Sequence, residues 1–150
     1  MNSDLARRIA QDVLDRQGEV TVAGDLSATM EWCDLPCVLV SLEGDVTART
    51  EDEMRAICAG FIARLRELRI THMARRCLEA EFEDADTVRA SYETRYVRDG
   101  HLLTDAPYVG LVLLRRRADH WRIGAMQFAV SGSSPANATL LSSGPGEAAE

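Results

Sequence analysis

ITHMARRCLEAEFEDADTVRASYETRYVRDGHLLTDAPYVGLVLLRRRADHWRIGAMQFAVS, residues 70 to 131, is the stretch that decides the fold. Its apolar residues tend to recur at every second position. Turn signals interrupt them at Asp84-Ala85-Asp86, Asp99-Gly100 and Ala118-Asp119. The pattern predicts four strands, roughly 71 to 83, 87 to 98, 107 to 117 and 120 to 131. Connections this short force antiparallel neighbours, so the strands form a meander. Strands of about a dozen residues exceed the usual five or six, and bends or bulges are expected in them. Gly110 and Gly124 are the candidate bend points.

Upstream the period changes. Thr50 and Glu53 form a T-x-x-E capping box, and Met54, Ile57, Cys58, Phe61, Leu65 and Leu68 then recur at steps of three and four. This predicts an amphipathic helix over 51 to 68 whose Ile57, Phe61 and Leu65 are buried against the sheet. Before it, Val38 to Leu42, Glu43-Gly44 and Val46 to Thr50 read as a short hairpin. A first helix is predicted over 4 to 17, with Ser3 as cap and Gly18 as stop. Residues between that helix and the hairpin have no clean period and read as loop with a short helical turn. The division expected is one α+β domain over 1 to 131 and a Ser-, Gly-, Pro- and Ala-rich tail over 132 to 150, anchored by Leu140-Leu141.

Composition narrows the function classes. The chain has 150 residues, 46% hydrophobic and 27% charged, enough for one ordinary domain with a real core. A net charge of −7 opposes both a phosphate backbone and anionic lipid, so neither nucleic acid nor membrane is an expected partner. All 17 basic residues are arginine. The cluster Arg115-Arg116-Arg117 reads as a solvated strand end. No apolar run is long enough to span a bilayer, and the opening MNSDLARRIAQDVLDRQ has charges where an export signal needs apolar residues, so a cytoplasmic location is expected. Cys33, Cys37, Cys58 and Cys77 fit no redox or zinc spacing, and His72, His101 and His120 are scattered. Neither a metal nor a nucleotide cofactor is expected, since no phosphate-cradling glycine loop is present.

The order helix, hairpin, amphipathic helix and four-strand meander resembles the nuclear transport factor 2-like superfamily in its SnoaL-like branch. The ending HWRIGAMQFAVS, with D-x-W-R-I after a turn at Asp119 to Ile123, resembles the closing strand of such domains. The resemblance implies a cone: a strongly curved antiparallel sheet, cystatin-like in type, wrapped round helices and leaving an apolar cavity. It also implies that two such sheets pack back to back. Members include isomerases, dehydratases, cyclases, epoxide hydrolases and pure binding modules, so the resemblance speaks to fold more than to activity.

Alternation then assigns faces. In the second long strand Val88, Ala90, Tyr92, Thr94 and Tyr96 should look into the cone, against Arg89, Ser91, Glu93 and Arg95 outside. In the third, Val109, Leu111 and Leu113 oppose Val112 and Leu114. In the fourth, Trp121, Ile123 and Ala125 oppose Met126, Phe128 and Val130. Sheets apolar on both faces need two covers, which predicts a homodimer through the outer face. In the first strand His72 and Arg76 take inward parity. Candidate bases are Asp34 in WCDLP and His72, with Asp105 in the TDAP loop second to Asp34. Arg76 paired with Asp34 would instead explain both residues structurally. A ligand would touch Tyr92 and Tyr96, with Trp32, Asp34, His72 or Tyr108 near the mouth. Three functions stay open: a binding module for a small apolar molecule, a cofactor-free isomerase, dehydratase or cyclase, and a dimeric interaction module with a filled cone.

Overall fold

A computed structural model describes residues 2–41, 44–102 and 108–127. Helix α1 (Ser3–Val22) and the short α2 (Leu26–Glu31) precede the hairpin β1 (Cys33–Ser41) and β2 (Gly44–Ala48). Helix α3 (Glu51–Glu67) follows, and then β3 (Ile70–Asp84), β4 (Thr87–Arg98), the two-residue β5 (His101–Leu102), β6 (Tyr108–Arg117) and β7 (His120–Gln127). The fold is α+β, with a curved sheet that does not close into a barrel. Its strand order is β2-β1-β7-β6-β4-β3, with β5 paired to β4. Every pairing is antiparallel except β1 with β7. The order of meander and hairpin is therefore as the sequence predicts, although β1 begins at Cys33 rather than Val38 and β2 at Gly44, read as part of the turn, rather than at Val46; residues 42 and 43 lie outside the described residues.

The first helix runs a turn past its predicted stop. Asn2, not Ser3, caps it, accepting from the backbone N–H of Asp4 at 2.8 Å and of Leu5 at 3.1 Å. Gly18 lies within the helix because the Arg75 side chain passes over it: a Cβ there would stand 3.2 Å from Arg75 Nη2. The stop comes instead at Gly24, whose φ of +82° suits a glycine just beyond a helix end. The loop reading of the next segment is corrected by α2, capped by the Asp25 side chain.

Helix α3 carries the predicted capping box, with Glu53 N–H donating to Thr50 Oγ1 at 3.1 Å and Glu53 Oε1 accepting from Thr50 N–H at 3.2 Å. Its position differs from expectation. The helix that lies closely on the sheet is α1, against β3, while α3 touches the sheet at few points. Met54, Cys58, Ile62 and Leu65 are buried, whereas Ile57 and Phe61 are only partly so. Those two pack on the edges of the core and also line a cavity.

Bulges set the remaining faces. β3 holds one extra residue against β4 between Ile70 and His72 and another between Cys77 and Glu79. Between the two bulges the parity is inverted. Met73, Arg75 and Cys77 turn inward, and His72 and Arg76 turn out, against expectation. β7 has a similar irregularity at Gly124, where Leu113 and Leu114 pair with Ala125 and Ile123. Met126 therefore joins Ile123 on the inner face rather than opposing it; Phe128 and Val130 lie outside the described residues, as do Asp105 and residues 132 to 150. β4 and β6 keep their predicted alternation: Val88, Ala90, Tyr92, Thr94, Tyr96, Val112 and Leu114 are buried, and Val109 and Leu111 are exposed.

Candidate functional site

The inner sheet face, α3 and Gln17 of α1 line a cavity of about 90 Å³. A single water needs roughly 10–15 Å³ by this measure, so the space is more than a packing defect. One wall is apolar, formed by Leu39, Ile123 and Met126 from the sheet and Met54, Ile57 and Phe61 from α3. The polar part of the lining comes largely from β3, β4 and β6: Arg75, Tyr92, Thr94, Tyr96 and Tyr108.

Local structure explains each position. Tyr92 and Tyr96 are four apart on β4, on one face of an unbulged stretch. Tyr92 pairs across the ladder with Gly110, and a Cβ at Gly110 would stand 3.0 Å from the Tyr92 hydroxyl. The missing side chain is what lets the ring lie over β6. Tyr96 packs against Tyr108, with ring centroids 5.8 Å apart and planes tilted by 60°. Burial pushes the Tyr92 phenol up to about 12 and raises Tyr96 as well, so both stay protonated donors at neutral pH. No protein acceptor is found for either hydroxyl among the described residues.

Three thiols share the cavity wall: Cys33 and Cys37 from β1 and Cys58 from α3. All are free. Cys33 Sγ donates to Thr29 O at 3.7 Å, and Cys58 Sγ to Met54 Sδ at 3.6 Å. Hydrogen bonding with Cys58 and then burial raise the Cys33 thiol. Burial first of all pushes Cys37 up to about 12. Cys33 and Cys37 are therefore protonated, unreactive thiols, while the hydrogen bond with Cys33 lowers Cys58 against the effect of its burial. Among the described residues no group of three or more His, Cys, Asp and Glu side chains is placed to hold a metal ion.

Arg75 is the group that sequence reasoning missed. It is the one buried arginine among the described residues. Nη2 donates to Leu14 O at 2.6 Å and to Gln17 Oε1 at 2.5 Å, and Nε has no hydrogen-bond acceptor among the described residues. The strand is pinned beside it by Gln11, whose Nε2 donates to Arg75 O at 2.7 Å and whose Oε1 accepts from Cys77 N–H at 2.8 Å. Desolvation lowers the pKa of Arg75, although Tyr92, Tyr96 and Asp15 oppose the shift. No carboxylate lies within ion-pair distance of it among the described residues. A signal was present in the sequence, since Gly18 in mid-helix demands a close neighbour, but nothing local identified that neighbour.

The candidate bases stand elsewhere. His72 is exposed, its Nδ1 3.0 Å from Thr71 Oγ1, in an open groove outside β3 shared with Arg76 and Glu93. Arg76 pairs with Glu93 at 3.3 Å, not with Asp34. Asp34 is buried but not on the cavity wall. Arg117 holds it at 2.9 Å, with Arg115 at 3.9 Å, because Asp34 alternates with the inward Cys33. With Arg116 paired to Asp86 at 2.6 Å, the basic cluster is an ion-pair network. Trp32 lies outside the cone as the residue ending α2; its ring meets His120 with centroids 4.7 Å apart, and its carbonyl accepts from Ile123 N–H at 2.7 Å. Of the expected set, the cavity gathers Tyr92, Tyr96 and Tyr108.

No protein-family model matches the sequence, and no curated protein matches it. Solved structures do match its architecture. An NTF2-like protein with a cystatin-like fold from Novosphingobium aromaticivorans is 20% identical, with a TM-score of 0.63 over 91% of this chain and 89% of that one. A ketosteroid isomerase-like protein from Erwinia carotovora atroseptica is also 20% identical, with a TM-score of 0.60 over 83% of this chain and 96% of that one. A domain of unknown function with a cystatin-like fold from Nostoc punctiforme reaches 0.65 at 9% identity, covering 87% and 80%. The chain has the nuclear transport factor 2-like, cystatin-like fold.

Proposed function

We propose that this domain binds a small, largely apolar molecule in the cone. The observation that carries the reading is the cavity inside the cone. It brings apolar side chains together with the buried Tyr92 and Tyr96, whose hydroxyls have no protein partner among the described residues. A few convergent polar groups in an apolar pocket is the usual composition of a ligand site. Turnover by an isomerase, dehydratase or cyclase has the likeness to a ketosteroid isomerase-like structure behind it. Such chemistry wants a base on the wall, and the described lining contains no carboxylate and no imidazole. Binding without turnover therefore fits better.

Native mass spectrometry of the gently purified protein tests this directly. A co-purified mass that is lost from Tyr92→Phe and Tyr96→Phe variants of unchanged melting temperature is the expected result. A bare protein mass, with no thermal shift from a library of small molecules, would refute it.

The outer face of β6 is proposed to meet a second copy of the chain. Val109 is 54% and Leu111 42% exposed; across the ladders Val109 faces Glu93, and Leu111 faces the uncharged Ser91 and Gln127. Light scattering should give a dimer at micromolar concentration that Leu111→Glu converts to monomer. A wild-type monomer would end the proposal.

A further inference from the structure

The cavity of the proposed binding module holds a cation with no charge partner among the described residues. Arg75 is 9% exposed. Its two acceptors, the Leu14 carbonyl and the Gln17 amide oxygen, are both neutral, and both are served by Nη2. Nε has no acceptor among the described residues. Asp15 acts on it only from beyond ion-pair distance. Other arginines of this chain, exposed ones included, find carboxylates readily: Arg16, Arg69, Arg89, Arg116 and Arg117 each have one within 3.0 Å. An arginine stays protonated in proteins. Burying one among apolar side chains without an anion is costly, and the usual remedy is a paired carboxylate.

We propose that the missing charge arrives with the ligand: the cone takes a small carboxylic acid, its carboxylate on Arg75 and its apolar body against α3. The proposal rests on the binding reading given above. Geometry favours it in two respects. Arg75, Tyr92 and Tyr96 belong to the neighbouring strands β3 and β4 and line one cavity, so a guanidinium and two phenol donors converge on one site. A planar guanidinium matches a carboxylate edge. Elsewhere in the lining Ile57, Phe61 and Met126 offer only apolar contact. Phosphate fits poorly, because one arginine would leave a buried dianion half-neutralised. An uncharged alcohol or amide would leave the cation as it is.

The test compares acids with their uncharged isosteres on the full chain. Isothermal titration with benzoate, phenylacetate and hexanoate is set against benzamide, phenylacetamide and hexanamide, with inorganic phosphate as a further probe. In the wild type at least one acid should bind about tenfold or more tightly than its amide, the difference expected for a hydrogen-bonded charge. Arg75→Met should bring the acid down to the amide's affinity, while Arg75→Lys, which keeps the charge and guards against misfolding of the first variant, should retain a preference for acids. Acid and amide binding equally well to the wild type would overturn the charge assignment and leave the binding module standing. If no acid or amide binds and no small molecule co-purifies, both readings fall. Phosphate binding as tightly as the acids would also overturn the proposal.

Discussion

Gly110→Ala is a small change with two opposed effects, and the structure says which wins. The φ of Gly110 lies outside the left-handed region, so alanine is conformationally acceptable there. By restricting the unfolded chain it should stabilise by about 0.4–1 kcal/mol. Against this, the new Cβ would stand 2.7 Å from the backbone oxygen of Gln127 and 3.0 Å from both Cζ and the hydroxyl of Tyr92. The phenol could shift, but the oxygen belongs to β7 and can move only if the β6–β7 ladder parts. Overpacking of this kind costs roughly 1–3 kcal/mol. Taking the middle of each range, the net expectation is a loss of about 1.3 kcal/mol, seen as a melting temperature lower by several degrees at this chain length. Urea titrations of both proteins, followed by circular dichroism and compared at equal slope, measure it. The same variant should weaken ligand binding, because the Tyr92 ring is pushed into the cavity. A Gly110→Ala protein as stable as the wild type, or more so, would mean that Tyr92 does not lie over β6 and that the cavity is drawn wrongly.

Alkaline pH should unfold the domain. The Tyr92 phenol rises from 10.0 to about 12 on burial, a difference worth roughly 2–3 kcal/mol. Because the folded value is the higher one, that contribution is complete below pH 10 and is lost as pH climbs through 12; stability unchanged between pH 9 and 12 would contradict the burial. Leu65→Ala, at a site only 2% exposed, should cost about 2–5 kcal/mol, and Phe61→Ala distinctly less, about 1–2 kcal/mol, since part of its ring already faces open space. Equal losses in thermal melts would show that Phe61 is packed rather than lining a cavity. His72→Ala should change stability by less than about 0.5 kcal/mol and leave ligand affinity intact. Asp34→Asn should lower the melting temperature, by releasing Arg117, yet leave binding unchanged in the same titration; loss of binding in either variant would return these residues to the site.

Much of the fold was legible because its signals are local. The capping box of α3, the turn dipeptides of the meander and the unbroken alternation of β4 each act within a few residues. What escaped depended on partners far along the chain. One bulge after Ile70 and a second before Glu79 restore the parity of β3 at both ends and invert it between them. That exchanges His72 and Arg76 for Met73 and Arg75 on the inner face. The sequence has the same letters under either register, so alternation placed two wrong residues in the cone and hid the right one. Asp34 was misplaced for a related reason: its partners Arg115 and Arg117 lie more than eighty positions away. The aromatic part of the site could be read because β4 carries it without interruption.

The parallel pairing of β1 with β7 has a consequence for synthesis. Val38 to Val40 sit beside Ala125 to Gln127, so the last strand described lies in the middle of the sheet and is what joins β2-β1 to β6-β4-β3. Until residues 120 to 127 have left the ribosome, β1 and β6 both present open hydrogen-bonding edges, and the inner residues of both sheet halves lack a floor. Contacts closed over such a sequence distance form slowly. The nascent chain therefore spends most of its elongation as two unjoined pieces, the condition in which edge strands pair with the wrong neighbour. Slowing translation before residue 120 should then lower soluble yield far more than slowing it afterwards.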